Sequence, residues 1–289
     1  MYQLIILLRP WQWVKNLLIF IPLLLSSQNI NDAFVSLIFT FIVFSLFVSS
    51  TYIFNDIKDV DIDKLHLSKR NRPIAAGKIG IKSARLTSII IFISTFVISY
   101  LIDDKVFFLF LAYALTTYFY TSYFKYVYVL DTFSISFMFL IRVLIGSTVA
   151  NVNLTIYLGV FIFFTSCMLS ISKKISIINS SDIGANNSFY ELLDNQDKGF
   201  AFKRLYIFFG TTSAGALLLW LLNLYSVFLK LSDVIFLSIT NVAFIVFSIF
   251  IYRYSLKGDL EDFSKELFRN RDLLIVSLII ITSFSIGYF

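Results

Sequence analysis

The sequence predicts an all-α, polytopic membrane protein of about nine transmembrane helices, and three observations carry that prediction. The first is composition. Of 289 residues, 58% are hydrophobic and only 15% are charged, and the mean hydropathy is +0.83, values foreign to a soluble domain. The second is that apolar runs recur at roughly the 20-residue length that a bilayer demands. The third is the distribution of basic residues, which is one-sided along the chain.

In order, the apolar runs are Val14–Ile30, Ala33–Phe54, Ala84–Ile102, Val106–Phe124, Leu130–Ala150, Leu154–Lys173, Leu205–Leu224, Val234–Tyr252 and Leu273–Phe289. The first is the weakest, being short, broken by Pro22 and trailing into Ser26-Ser27-Gln28. The opening Met1–Leu8 is too short to span and runs into Arg9 without a small-residue cleavage site, so no cleaved signal peptide is expected. No linker, low-complexity stretch or internal repeat divides the chain, which predicts one transmembrane domain over 1–289.

Threading nine spans from a cytoplasmic N-terminus leaves Lys105 and Lys230 as the basic residues of the outer loops. Arg142 lies within a span, and the rest of the 24 Lys and Arg fall inside. This predicts an inner-membrane protein with a cytoplasmic N-terminus. It also accounts for much of the net charge of +6 without a nucleic-acid partner. The 34 Phe belong to lipid-facing and bundle-filling surface, and the single Cys167 excludes an intrachain disulfide or a cysteine-based zinc site.

The stretch from Asn55 to Asp63 sets four carboxylates at the end of a long apolar segment. On a helix, Asp56, Asp59 and Asp63 fall at i, i+3 and i+7, on one face, with Asn55 sharing its edge and Asp61 pointing elsewhere. Like charges so placed repel unless a cation sits among them. Oxygen donors alone suit a hard ion such as Mg²⁺, commonly shared with substrate phosphates. Asn55, Asp56, Asp59 and Asp63 are therefore the candidate metal ligands.

A basic turn follows within a few residues: His66, Lys69, Arg70, Arg72 and Pro73, then Ala75-Ala76-Gly77-Lys78. Acids that hold a metal and cations that take the remaining phosphate charge are what a diphosphate needs. Pro73 and Gly77 suit a compact loop over a site. His66, the single histidine, reads as an orienting residue rather than a general base.

These residues resemble the UbiA-type intramembrane prenyltransferase superfamily, whose signature is matched by Asn55-Asp56-x-x-Asp59-x-x-x-Asp63. Several further features resemble its decaprenyl-phosphate phosphoribosyltransferase branch. They are Arg9-Pro10-Trp11-Gln12-Trp13-Val14-Lys15-Asn16, the run from His66 to Gly77, Tyr120-x-Ser122-x-x-Lys125 leading to Leu130-Asp131, Arg142 with Gly146, and Ser172-Lys173-Lys174. The resemblance implies a UbiA-like helical bundle, a cytoplasm-facing site and Mg²⁺. It implies transfer of 5-phosphoribose from phosphoribosyl diphosphate to a polyprenyl phosphate (decaprenyl or undecaprenyl), releasing diphosphate. In that scheme Asp56, Asp59 and Asp63 are catalytic through the metal. Lys15, Asn16, Lys69, Arg70, Arg72, Lys125, Asp131, Arg142 and Lys173 are candidate substrate ligands. Family members form homo-oligomers, although no patch in this sequence marks such an interface.

Arg142 stands deep in a span, where a charge faces the bundle interior, and Asp131, eleven residues earlier, lies on roughly the same face. A site role for both competes with an internal ion pair. Lys15, which the resemblance makes a phosphate ligand, would alone be a snorkelling anchor; Lys125, Lys173 and Lys174 are explained nearly as well as topogenic charges, and Trp11 and Trp13 as interfacial belt residues. The loop at 180–197 lacks the second aspartate motif of the aromatic prenyltransferases, keeping only Asp182, Asn186, Glu191, Asp194 and Asp197. A prenyltransferase acting on an aromatic acceptor is the second reading. A transporter is disfavoured because the acids cluster at a span end rather than at the bilayer midplane.

Overall fold

The computed structural model describes residues 2–25, 30–65, 69–124, 127, 129–179, 196–225, 230–260 and 263–288, whose regular elements are all helices, with no strand among them. The chain forms two compact units, Met1–Lys125 with Met138–Leu154, and Tyr126–Phe137 with Thr155–Phe289.

The first unit opens with α1 (Tyr2–Leu8), a 3-10 helix (Pro10–Phe20) and α2 (Ile21–Leu24). The long α3 (Ile30–Lys58) follows, then α4 (Val60–Leu65), a 3-10 turn (Lys69–Asn71), α5 (Ile81–Ile102) and α6 (Asp104–Ser122). α7 (Leu130–Val149) gives its second half to this unit and its first half to the other. The second unit adds α8 (Ile156–Asn179), α9 (Gln196–Tyr225), α10 (Leu231–Lys257), α11 (Phe263–Arg269) and α12 (Arg271–Tyr288).

Among the described residues, seven helices are long and apolar enough to cross a membrane, or eight when the bent pair Tyr2–Leu8 with Pro10–Leu24 is counted as one span. That is fewer than the nine spans expected. The shortfall lies at α6, where Tyr113, Tyr118 and Tyr120 with Thr116, Thr117 and Thr121 dilute the apolar residues. The expected first span, Val14–Ile30, overlaps the second arm of the bent pair, whose first arm is the segment set aside as too short and whose 44° break falls at Arg9.

Small residues build the contact faces. On α5, Ala84, Ser88, Thr95 and Ser99 are buried, and Ser88 Oγ donates to the Ser50 carbonyl of α3 at 2.9 Å. Stripes of this kind let membrane helices approach closely. The first unit's core is aromatic, with Phe44, Phe47, Phe110 and Tyr113 buried together and Phe44 meeting Phe110 and Tyr113 edge to face. A smaller cluster of Leu7, Ile53, Val60, Ile74 and Ala84 ties α1, α3, α4, the following loop and α5 together beside the acidic stretch.

Candidate active site

Helical winding carries the acids outward from the apolar part of α3. The regular helix breaks at Asp59, yet its amide donates to Asn55 O at 2.9 Å and Asp63 donates to Asp59 O at 2.8 Å. Asp56 and Asp63 therefore share a face, and each is 2% exposed. Asn55 and Asp59 are half-buried, while Asp61 faces solvent and pairs with Lys64 at 3.0 Å.

Two arginines meet the buried acids. Arg72 Nη1 bridges them, donating to Asp56 Oδ1 at 3.0 Å and to Asp63 Oδ2 at 2.6 Å. Arg9 Nη2 donates to both oxygens of Asp56, reaching Oδ2 at 2.6 Å, and its guanidinium lies 5.5 Å from the centre of the Tyr52 ring.

The backbones supplying these arginines differ. Arg9 has φ 52° and ψ 56°, a left-handed conformation that costs a non-glycine residue about 1 kcal/mol. Arg72 precedes a tight loop in which Ala76 N donates to Arg72 O at 2.8 Å, and Lys78 N donates to Pro73 O at 2.9 Å. Gly77 supplies the positive φ of 70° that this turn needs.

The N-terminal segment docks on α3 through polar contacts of matching period. Trp13 Nε1 donates to Ser49 Oγ at 3.0 Å and Asn16 Nδ2 donates to Ser45 Oγ at 3.0 Å. A 3-10 helix eclipses residues three apart, so Trp13, Asn16 and Ile19 share one face. On α3 the partners are four apart. Trp13 is thus a structural tether, whereas Trp11 is exposed.

Arg142 is 3% exposed and joins this segment. Its Nε donates to Asn16 Oδ1 at 2.8 Å, its Nη1 to the Met138 carbonyl at 2.6 Å and its Nη2 to Tyr113 Oη at 3.0 Å. Rings of Tyr113 and Phe139 lie 5.2 and 5.1 Å from the guanidinium. One turn on, Gly146 admits the 3-10 helix: a Cβ there would stand 1.8 Å from Ile19 O.

In the second unit, Asp131 in the first turn of α7 pairs with Lys174 of α8 at 2.5 Å. Lys174 Nζ also donates to Thr132 Oγ1 at 2.9 Å and lies 5.4 Å from the Phe202 ring centre. Asp131 and Arg142, placed on one face by their spacing, thus have separate partners.

Of the other candidates, Lys15 and Lys69 are half-buried, Arg70 is exposed, and His66, Lys125 and the acids at 182–194 lie outside the described residues. Lys173 is exposed, and the buried lysine of this pair is Lys174. The structure also brings in Arg9, Tyr52 and Tyr113. The phase of Met168, Ile171 and Ile175, buried at steps of three and four, is the signal that puts Lys174 inward.

The donors fit Mg²⁺. Asp56 and Asp63 gather hard oxygens around one point, and no group of three His, Cys, Asp or Glu among the described residues could hold a metal. Mg²⁺ takes one or two carboxylates and completes its shell with water and substrate phosphate, unlike ions that need a full protein cage.

The sequence model of the UbiA prenyltransferase family matches residues 17–270. The chain belongs to that family. Over 171 residues it is 32% identical to a decaprenyl-phosphate phosphoribosyltransferase of Mycolicibacterium smegmatis, a match covering 57% of this chain and 54% of that one. The chain spans about half the length of the curated relatives it matches. Its fold is similar to a structure of a digeranylgeranylglyceryl phosphate synthase, with a TM-score of 0.71 and 20% identity over 100% of this chain and 99% of that one. It is also similar to a UbiA homologue from Archaeoglobus fulgidus bound to GPP and Mg²⁺, with a TM-score of 0.61 and 18% identity over 99% and 98%.

Proposed function

We propose that this protein transfers 5-phosphoribose from phosphoribosyl diphosphate to a polyprenyl phosphate, decaprenyl or undecaprenyl, and releases diphosphate. The observation that carries this reading is the pair of buried carboxylates at the end of a membrane helix, bridged by Arg72 and gripped by Arg9. Alternating fixed charge of this kind is complementary to a metal diphosphate and costly beside an uncharged lipid. The relatives named decaprenyl-phosphate phosphoribosyltransferases favour the sugar donor over a prenyl donor.

Asp56 and Asp63 would hold Mg²⁺, with Asn55 and Asp59 beside them; when bound, the ion would neutralise charge on the departing diphosphate. Arg9 fixes the Asp56 carboxylate. Lys15, Lys69, Arg70 and Arg72 supply cations to phosphate oxygens. The lipid phosphate oxygen forms a bond to ribose C1 as the bond from C1 to the diphosphate oxygen breaks, inverting that carbon. A phosphate monoester is already anionic near neutral pH, so no protein nucleophile is needed, and catalysis rests on positioning and charge stabilisation. The basic bias of the loops supports an inner-membrane location with the N-terminus and this site on the cytoplasmic side.

The test uses the purified chain with Mg²⁺, undecaprenyl phosphate and radiolabelled phosphoribosyl diphosphate. Label entering the organic phase, and lost with EDTA, is the expected result. No transfer by folded protein would turn the reading to prenyl diphosphate and an aromatic acceptor.

A further inference from the structure

We propose that Arg72 is an exchangeable counter-ion. It holds the place between Asp56 and Asp63 until a divalent cation takes that place, and its released guanidinium then binds the diphosphate that arrives with the cation. The inference rests on the proposed metal-diphosphate site and adds an order to it.

The two arginines on Asp56 are held differently. Arg9 meets both carboxylate oxygens, lies against the Tyr52 ring and is fixed by a left-handed backbone between α1 and the 3-10 helix. Its side chain is 14% exposed. Arg72 reaches the acids through Nη1, from a loop, with a side chain 25% exposed. That one nitrogen stands between Asp56 Oδ1 and Asp63 Oδ2, where a cation accepting both carboxylates would stand.

Two cations cannot share the point, since they would repel at contact distance in a buried setting. Arg72 is the more exposed of the two arginines on Asp56 and is held through a single nitrogen. Once displaced, it remains tethered by the Pro73–Gly77 turn within a side chain's length of the acids, and a guanidinium beside a metal-bound phosphate forms short, charge-assisted bonds. Cation and diphosphate should therefore bind as a linked pair: without diphosphate, the cation competes with Arg72; with it, Arg72 gains a new partner. Linkage of this kind commonly changes affinity by about 5- to 150-fold.

The experiment measures ⁵⁴Mn²⁺ retained with the full chain in detergent by equilibrium dialysis at a fixed free Mn²⁺ concentration, with and without inorganic diphosphate. Wild type should bind Mn²⁺ weakly alone and about tenfold or more tightly with diphosphate. Arg72→Gln should bind Mn²⁺ alone about tenfold more tightly and lose most of the diphosphate enhancement. Arg72→Lys, which keeps the charge, should stay near wild type, and size-exclusion profiles establish that each variant is folded. Unchanged or weaker Mn²⁺ binding by folded Arg72→Gln would overturn the proposal, as would wild type that binds no Mn²⁺ under either condition. Neither arm depends on a sugar donor, so failure of the phosphoribosyl assay with these results intact would overturn the reaction and spare the exchange.

Discussion

Asp56 and Asp131 are both buried aspartates near the end of a membrane helix, and they are neutralised in opposite ways. Asp131 meets Lys174, and the two side chains are 8% and 7% exposed. Asp56 meets two arginines, one of which it shares with Asp63, and that shared arginine is the most exposed member of the group. A pair sealed on both sides fastens α7 to α8. A group with two acids and two bases, one base a quarter exposed and held through one nitrogen, is built to trade that partner for a ligand. Burial is common to both, so the contrast lies in which cation can leave.

The largest effect should come from breaking the sealed pair. Lys174→Met leaves Asp131 buried without its cation and should cost about 3 kcal/mol or more, read as earlier thermal unfolding in detergent. The double variant Asp131→Leu/Lys174→Met should recover most of it. Full stability in that double variant with transfer lost would assign the pair to the substrate and erase the contrast.

Next comes the open group. Asp56→Asn keeps an oxygen for Arg9 but loses the charge, and transfer should fall by about 10²- to 10³-fold in protein that remains monodisperse. Aggregation in its place would make Asp56 as structural as Asp131.

A smaller effect should follow from moving the segment that carries Arg9. Gly146→Ala drives a methyl into Ile19 O, and overpacking of this kind costs about 1–3 kcal/mol. The fluorescence of Trp13 should shift as its bond to Ser49 loosens. Gly215→Ala, with no atom within 4 Å of its new carbon, should change stability by less than about 1 kcal/mol. Equal effects at the two glycines would deny the close approach.

Local periodicity made part of the site legible. The seven-residue step from Asp56 to Asp63 predicts a shared face, which Arg72 confirms by touching both, and the same spacing sends Asp61 outward. Arg142 was legible as an interior charge because an unpaired arginine is too costly in lipid. Its partners were not: Asn16 lies 126 residues away, and no local pattern encodes that contact. Lys173 and Lys174 differ by one step of helix phase, which fixes burial but shows only when the apolar ladder beside them is counted. Arg9 was hidden for another reason. A basic residue at a helix end is explained by membrane orientation alone, and its left-handed backbone leaves no mark in side-chain chemistry. α6 has the length of the expected fourth span, while its tyrosines and threonines lower its apolarity below that of the other long helices.

The 3-10 helix imposes a gauge on the whole N-terminal segment. Three residues of 3-10 winding advance about 6 Å, and four residues of α-helix advance about 6 Å as well. Trp13 to Asn16 and Ser49 to Ser45 are thus equal strides on two differently ruled scales. Losing or gaining one residue between Pro10 and Phe20 would throw every tooth out of mesh together: Trp13 from Ser49, Asn16 from both Ser45 and Arg142, and Ile19 from the notch at Gly146. The length of this stretch is thus a quantity that the fold holds constant.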